Sequence, residues 1–191
     1  VYQHEPVLLN FNKQKGTDLV VAANAVVQPM GLYSNKIHSL DDIKADTKIA
    51  IPNDPSNGGR ALVLLEKAGI IKLKPDYKGE ASIHDVAENP RGVKLVELEA
   101  AQLPISLQDL DVACVPMNYA VSGGLDVNKQ GFYFESRDAK YALIIIAARP
   151  DNVQSPEVQT FVKCYQSPEV AAFIKEKFKG QINPAWEQPA K

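Results

Sequence analysis

The sequence predicts an α/β fold with largely parallel sheets. Strand-like and helix-like segments alternate along the chain, which is the pattern that β-α-β units produce. The run Tyr141–Ala148 is apolar at almost every position and predicts a strand buried on both faces near the centre of a sheet. Ser155-Pro156-Glu157 and Ser167-Pro168-Glu169 each offer an N-cap, a proline at the first helical position and an acidic first turn. Two amphipathic helices are therefore expected near the C-terminus.

The remaining elements follow from apolar spacing and from turn residues. Pro6 begins a short helix that ends at Gly16, and Leu19–Ala23 is a strand that either continues through Val27 or is followed there by a second one. The later predictions, in chain order, are extended structure at 31–34, capped helix starts at Ser39 and Ser82, a strand at 49–51, a strand at 94–99, a helix at 102–110, a strand at 112–115 with a short helix after it, and a strand at 132–134.

Composition excludes several classes of function. The chain has 191 residues, 45% of them hydrophobic and 23% charged, with a formal net charge of −2. These values are those of a globular protein, and they argue against a basic nucleic-acid-binding surface. Cys114 and Cys164 lie in different apolar segments and are expected to be buried free thiols, although a disulfide between them remains open.

The stretch from Ile49 to Leu62 predicts an anion site. It reads as a buried strand, a polar turn with Asn57 as N-cap and Gly58-Gly59 behind it, and then a helix. Arg60 would then stand in the first helical turn, where the helix dipole disfavours a cation unless an anion also binds. Two interpretations remain open: Arg60 holds the carboxylate or phosphate of a ligand, or it pairs with a carboxylate of the protein itself.

No arrangement of residues indicates catalysis. His38 and His84 stand at polar helix starts and are expected on the surface, whereas His4 precedes a proline-opened helix and could line a cleft. Glu97 and Glu99 share one face of a half-exposed strand, which alternation explains without an acid–base pair. The sequence has no nucleophile elbow, Walker loop or zinc-protease motif. Binding without turnover, and without a metal or cofactor, is expected.

At this point the motifs resemble the NlpA, or methionine-binding, lipoprotein family. The matching segments are Tyr-Gln-His-x-Pro, Gly-Leu-Tyr-Ser, Asn-Asp-Pro-Ser-Asn-Gly-Gly-Arg-Ala-Leu, Leu-Glu-Lys-Ala-Gly-Ile-Ile-Lys-Leu-Lys, Val-x-Leu-Glu-Ala-Ala-Gln-Leu-Pro and Asn-Tyr-Ala. The resemblance implies a periplasmic-binding-protein-like (type II), two-lobed Venus-flytrap fold that is N-terminally incomplete here. It implies one lobe formed by residues 1–46 and 130–191 and a second formed by residues 47–129.

The resemblance also implies a set of ligand-binding residues. Arg60 would bind the carboxylate of an amino acid with help from Asn57, and Tyr2 and His4 would line the thioether side. Three further positions belong to the expected site: Gln28, where many relatives carry Glu, Pro116, where the family commonly has an asparagine, and Asn118 close by. Because proline has neither a side-chain amide nor an N–H, recognition of the amino-acid head group is expected to differ here.

The function implied is that of an extracytoplasmic solute-binding protein. It would capture methionine or a related amino acid or short peptide in an interlobe cleft and deliver it to an ABC permease and ATPase. The expected location is the cell envelope, with a lipid anchor N-terminal to the present sequence. The alternative is a surface lipoprotein with a vestigial pocket that acts as an adhesin or immunogenic interaction protein.

Overall fold

The computed structural model describes residues 1–139 and 141–187, which form eleven strands and seven α-helices. The strands are β1 (Tyr2–His4), β2 (Val20–Val27), β3 (Met30–Tyr33), β4 (Lys48–Pro52), β5 (Lys72–Leu73), β6 (Val86–Glu88), β7 (Lys94–Leu98), β8 (Val112–Pro116), β9 (Gly131–Phe134), β10 (Leu143–Ala148) and β11 (Asn183–Pro184). The helices are α1 (Glu5–Lys15), α2 (Pro55–Lys67), α3 (Leu103–Ser106), α4 (Met117–Ser122), α5 (Val127–Gln130), α6 (Pro156–Tyr165) and α7 (Pro168–Phe178).

The chain divides into two compact units, as a two-lobed fold requires. The first unit comprises Val1–Pro29 and Ser136–Lys191, and the second comprises Met30–Glu135. These limits differ from the predicted lobes 1–46 plus 130–191 and 47–129. Strands β3 and β9 both belong to the sheet of the second unit, where β3 pairs with β8 on one side and with β9 on the other. Residues 30–46 and 130–135 therefore group with the second unit.

The first unit is built on a four-stranded sheet in the order β1-β10-β2-β11. All of its pairings are antiparallel, which differs from the predicted parallel arrangement. Strand β10 lies between β1 and β2, as its two-sided apolar sequence predicts. Leu8 of α1 packs on Ile145 and Ala147 of this strand. This contact anchors α1, which begins at Glu5, one residue before the predicted start, on the central strand of the sheet.

The second unit is built on a five-stranded sheet in the order β7-β4-β8-β3-β9. Strand β4 runs parallel to both of its neighbours, β7 and β8, whereas β3 and β9 are antiparallel additions. Ile49 and Ile51 of β4 pack with Leu62 and Leu65 of α2 in a fully buried core. Because β4 and β8 are parallel, both of their carboxyl ends, with α2 and α4 behind them, open at the same edge of the sheet.

Several predicted helices are shorter in the structure. The capping boxes at Ser39 and Ser82 are present, but each begins only one 3₁₀ turn, at Leu40–Asp42 and Ile83–Asp85. The sequence pattern predicts that the helix starting at Ser82 continues through Glu88, but residues 86–88 form strand β6. The helix predicted over 102–110 is reduced to α3 after a 3₁₀ turn. In the described part of the chain, none of the helices has the length and apolar character needed to cross a membrane.

Candidate functional site

Helix α2 begins earlier than the sequence predicts. Its N-cap is Asp54, whose side chain accepts a hydrogen bond from the backbone N–H of Asn57 at 2.9 Å. The side-chain amide of Asn57 also donates to both carboxylate oxygens of Asp54, at 3.2 and 3.1 Å. The predicted cap at Asn57 is therefore wrong, because the aspartate before Pro55 captures that role and Asn57 becomes its donor. It follows that Arg60 lies in the second turn of the helix and not in the first.

The two glycines before Arg60 allow helix α2 to pack closely against neighbouring backbone segments. A Cβ added at Gly58 would lie 2.7 Å from the carbonyl oxygen of Pro52, and one added at Gly59 would lie 3.0 Å from backbone atoms of Ala81. Glycines in such a turn allow either a ligand or another part of the backbone to come close. The backbone does, at the end of β4 on one side and at the loop around Ala81 on the other.

Arg60 forms a buried ion pair with Glu135. Its Nε and Nη2 both donate to Oε2 of Glu135, at 3.0 and 2.5 Å. Only 2% of the arginine side chain and 9% of the glutamate side chain are exposed. The structure thus shows the second of the two interpretations of Arg60, a pairing with a carboxylate of the protein itself. A ligand at Arg60 stays a prediction.

Glu135 is fixed from a second direction by strand β3. The backbone N–H of Met30 donates to Glu135 Oε2 at 3.1 Å, and the backbone N–H of Glu135 donates to the carbonyl oxygen of Met30 at 2.9 Å. Met30 is also the β-ladder partner of Pro116. The guanidinium of Arg60, the carboxylate of Glu135 and the end of strand β8 therefore meet at the edge where β4 and β8 end.

The predicted residues Pro116 and Asn118 occupy this same edge. Pro116 is the buried last residue of β8 and the N-cap of α4, and Asn118 is exposed in the first turn of that helix. The structure therefore brings Arg60, Asn57, Pro116 and Asn118 to one edge of the sheet in the second unit. At this edge Arg60 forms an ion pair with Glu135, and the side chain of Asn57 donates hydrogen bonds to Asp54. Asn118 is exposed to solvent.

The predicted residues Tyr2, His4 and Gln28 belong to the first unit. Tyr2 and His4 are two positions apart on β1, so their side chains lie on the same face of that sheet. Tyr2 stays half exposed and accepts a hydrogen bond from the hydroxyl of Tyr165 at 3.2 Å, while the ring of His4 lies 6.2 Å from that of Tyr141. Gln28 follows β2 and donates its backbone N–H to the carbonyl oxygen of Ala142 at 2.8 Å.

The tyrosines at this end of the first unit form an aromatic cluster. The ring of Tyr165 lies 6.2 Å from Tyr2, 6.1 Å from Phe161 and 5.6 Å from Trp186. Desolvation raises the pKa of Tyr2 above its ordinary value. The phenol of Tyr2 is therefore neutral at physiological pH and can offer an apolar ring face to a ligand.

Possible metal ligands and the two cysteines were compared with the predictions among the described residues. No group of three or more His, Cys, Asp or Glu side chains in residues 1–139 and 141–187 is arranged to hold a metal ion. Both cysteines are free thiols, as expected, but only Cys114 is buried, and its burial raises the pKa of the thiol. Cys164 is exposed on α6, so the expectation that both thiols are buried is wrong for that residue.

Glu135 is a residue of this site that the sequence did not identify. It follows the short strand Phe132–Phe134 and precedes a polar loop, a context that is typical of a solvated surface residue. Its partner Arg60 lies 75 positions away in the chain. The only available signal was the need of a buried arginine for a counter-charge, which does not indicate which acidic residue supplies it.

Known proteins resemble this chain over almost its whole length. The chain matches the NlpA lipoprotein family over residues 1–186. The D-methionine-binding lipoprotein MetQ of Escherichia coli O157:H7 is 42% identical over 187 residues, which are 97% of this chain and 69% of that protein.

Solved structures agree with the sequence match. A nutrient-binding protein from Burkholderia cenocepacia bound to methionine superposes with a TM-score of 0.87 at 44% identity, covering 96% of this chain and 77% of that one. Immunogenic lipoprotein A from Vibrio vulnificus gives a TM-score of 0.81 at 41% identity over 92% and 76% of the two chains. The predicted periplasmic-binding-protein-like α/β fold is thereby confirmed, and the chain belongs to the NlpA lipoprotein family.

Proposed function

We propose that this protein is an extracytoplasmic solute-binding protein that captures methionine or a related amino acid or short peptide and releases it unchanged. The observation that carries the proposal is the extensive structural match to a methionine-bound nutrient-binding protein. The buried charge pair at the carboxyl edge of the second sheet supports it, because open α/β sheets bind ligands at that edge. Enzymatic turnover is not part of the proposal.

The head group of the ligand is assigned to the second unit. Arg60 would hold the carboxylate, because a guanidinium binds carboxylates through two parallel hydrogen bonds. Asn57 lies one helical turn before Arg60, on the side of the N-terminus of α2, and would assist. Asn118 would reach the head group from the first turn of α4, beside the Pro116 that carries no amide.

The side chain of the ligand is assigned to Tyr2, His4 and Gln28 of the first unit. Aromatic and imidazole rings make favourable contacts with a thioether sulfur, which is polarizable. The neutral phenol of Tyr2 suits an apolar side chain better than an ionised one would. Gln28 would add a neutral polar group.

Delivery to an ABC permease and its ATPase, and attachment to the cell envelope by a lipid, complete the proposal. Their support is the lipoprotein family to which the chain belongs and its similarity to proteins named for methionine binding. Neither the permease contact nor the lipid attachment rests on a residue described above.

A second candidate is a surface lipoprotein whose pocket no longer binds a solute. One observation favours it: the guanidinium of Arg60 is already paired with Glu135. The family resemblance adds a second reason, because it implies an asparagine at the position of Pro116, and proline has no side-chain amide. Immunogenic lipoprotein A of Vibrio vulnificus is one relative named for its antigenicity. Ligand binding separates the two candidates.

Thermal denaturation with added amino acids tests the proposal. At a concentration 100 times the dissociation constant, a ligand that binds only the folded state adds about 2.7 kcal/mol to the free energy of unfolding. We expect L- or D-methionine to raise the melting temperature, with L-alanine as the control that lacks the thioether. If neither methionine enantiomer, no other amino acid and no short peptide shifts the melting temperature, the solute-binding proposal is wrong.

A further inference from the structure

Asn57-Gly58 is the only Asn-Gly pair in the 191-residue sequence, and such a pair can deamidate. Glycine has no Cβ to shield its backbone nitrogen, so that nitrogen can attack the side-chain carbonyl carbon of the asparagine. A bond forms between the Gly58 nitrogen and Asn57 Cγ, the Cγ–Nδ2 bond breaks, and the amide group leaves as ammonia with the proton from the Gly58 nitrogen. Water then opens the cyclic succinimide at either carbonyl and gives aspartate or isoaspartate.

In the structure, both reacting groups are engaged by Asp54. The backbone N–H of Gly58 donates to the carbonyl oxygen of Asp54 at 2.7 Å. The side-chain amide of Asn57 donates to the two carboxylate oxygens of Asp54 at 3.2 and 3.1 Å. Ring closure requires the Gly58 nitrogen to lose its proton and the Asn57 amide to turn its carbonyl carbon towards that nitrogen. Asp54 opposes the first change through its backbone and the second through its side chain.

Packing accounts for the glycine at position 58 and also holds the backbone there in place. Gly58 is buried, and a Cβ added to it would lie 2.7 Å from the carbonyl oxygen of Pro52. A residue with a side chain, which would shield the nitrogen, therefore does not fit at this position. Closing the succinimide ring requires the backbone between Asn57 and Gly58 to leave its helical conformation, so the first turn of α2 has to open before the reaction can occur.

We infer that Asp54 is a protecting residue, whose capping hydrogen bonds keep the modification site Asn57-Gly58 unreactive while the first turn of α2 is closed. The backbone N–H of Asn57 adds a third bond to the carboxylate, at 2.9 Å. Opening of this turn has a covalent consequence, because the product aspartate places a second carboxylate where amide hydrogens now meet Asp54. The product isoaspartate lengthens the backbone by one atom and interrupts the helix.

Peptide mapping by mass spectrometry during incubation at mildly alkaline pH tests the inference. We expect Asn57 to deamidate roughly tenfold or more slowly in the folded protein than in the same protein unfolded in guanidinium chloride, because in the folded protein the reaction waits for the helix to open. Rates within twofold of each other in the folded and the unfolded protein would overturn the inference without any variant.

The variant Asp54→Ala isolates the contribution of the cap. It removes the carboxylate but keeps the backbone carbonyl to which Gly58 donates. We expect Asn57 to deamidate about fivefold faster than in the unaltered protein, the factor that corresponds to the usual loss of stability when an N-cap is removed. The matched control is Asp126→Ala, which removes the side-chain N-cap of α5 and should leave the rate at Asn57 unchanged.

A third variant, Asp54→Ser, keeps a capping oxygen for the backbone N–H of Asn57 but offers one acceptor where the carboxylate offers two. Its rate of deamidation should lie between those of Asp54→Ala and the unaltered protein. Equal rates in Asp54→Ala and the unaltered protein, both shown to be folded by cooperative unfolding in urea, would overturn the role of Asp54. If Asp54→Ala does not fold, Asp54→Ser replaces it, and a rate equal to that of the unaltered protein would overturn the inference.

Discussion

Arg60 shows how much the meaning of one residue depends on partners far away in the sequence. Local spacing predicted an anion beside it, and the structure supplies one from Glu135 at the end of the second unit. The error lay in the position of the helix start, because Asp54 and not Asn57 caps α2. The need of the guanidinium for an anion was predicted correctly from the residue type alone, whereas the identity of that anion required the fold.

Gly58 offers a test of packing at a single residue. Alanine in a helix interior is ordinarily about 0.5–1 kcal/mol more favourable than glycine, so Gly58→Ala would stabilise an open site. Here the new Cβ would lie 2.7 Å from the backbone oxygen of Pro52, which cannot swing aside as a side chain can. We expect the free energy of unfolding in urea to fall by about 1–3 kcal/mol, the usual cost of overpacking.

The control for that variant is Lys67→Ala, an exposed position in the last turn of the same helix. It should change the free energy of unfolding by no more than about 0.5 kcal/mol. A Gly58→Ala protein as stable as the unaltered one would show that β4 and α2 pack less closely than described.

At the scale of elements, the length of each helix depends on how many apolar residues with helical spacing follow its N-cap. Ser155 and Ser167 cap α6 and α7 as predicted, accepting hydrogen bonds from the backbone N–H groups of Val158 and Val170. Ser39 and Ser82 carry equally good capping boxes, but no long helical stripe of apolar residues follows them and each yields a single 3₁₀ turn. A cap marks where a helix can begin, and packing decides how far it continues.

Asp111 ties three segments of the second sheet and predicts an acid dependence of stability. Its carboxylate accepts a hydrogen bond from the backbone N–H of Lys48 at 2.9 Å and pairs with Lys36 at 3.2 Å, while its carbonyl oxygen accepts from the hydroxyl of Ser34. The hydrogen bond from Lys48, with support from Lys36, holds the pKa of Asp111 below its ordinary value.

Because the folded state lowers this pKa, the carboxylate stabilises the protein above the unfolded pKa of about 3.9 and loses that effect as the pH falls through the folded value. We expect Asp111→Asn to be less stable than the unaltered protein at pH 7, with the difference shrinking below about pH 4. Urea unfolding at pH 7, 4 and 3 measures it. Asp109→Asn, an exposed neighbour, is the control. A difference that stays constant from pH 7 to pH 3 would contradict the assignment.

At the scale of the whole molecule, the fold class and the protein family could be predicted from the sequence. The limits of the two units were predicted less well. Alternating strands and helices gave α/β, and long motifs such as Asn53–Leu62 gave the family. The crossovers lie at Pro29/Met30 and Glu135/Ser136, because β3 and β9 join the second sheet. Pairing between strands distant in sequence leaves no local signal, and the partner of Arg60 was missed for the same reason.

The central claim is that Arg60 and Glu135 together form the head-group site of a methionine-binding protein. Replacing Arg60 alone would leave Glu135 buried without a counter-charge, and the resulting loss of stability would obscure any loss of binding. The double variant Arg60→Met with Glu135→Leu removes both charges at similar volume and is expected to remain folded, as replacements of buried ion pairs by apolar residues often do.

Calorimetric titration of this double variant with methionine, beside the unaltered protein, is the most direct test. We expect the unaltered protein to bind one methionine per chain. The double variant should unfold cooperatively in urea, as a folded protein does, yet bind methionine roughly 100-fold more weakly or not at all, because the charge-assisted contacts to the head group are gone. A folded double variant that binds methionine as tightly as the unaltered protein would contradict the assignment of the site.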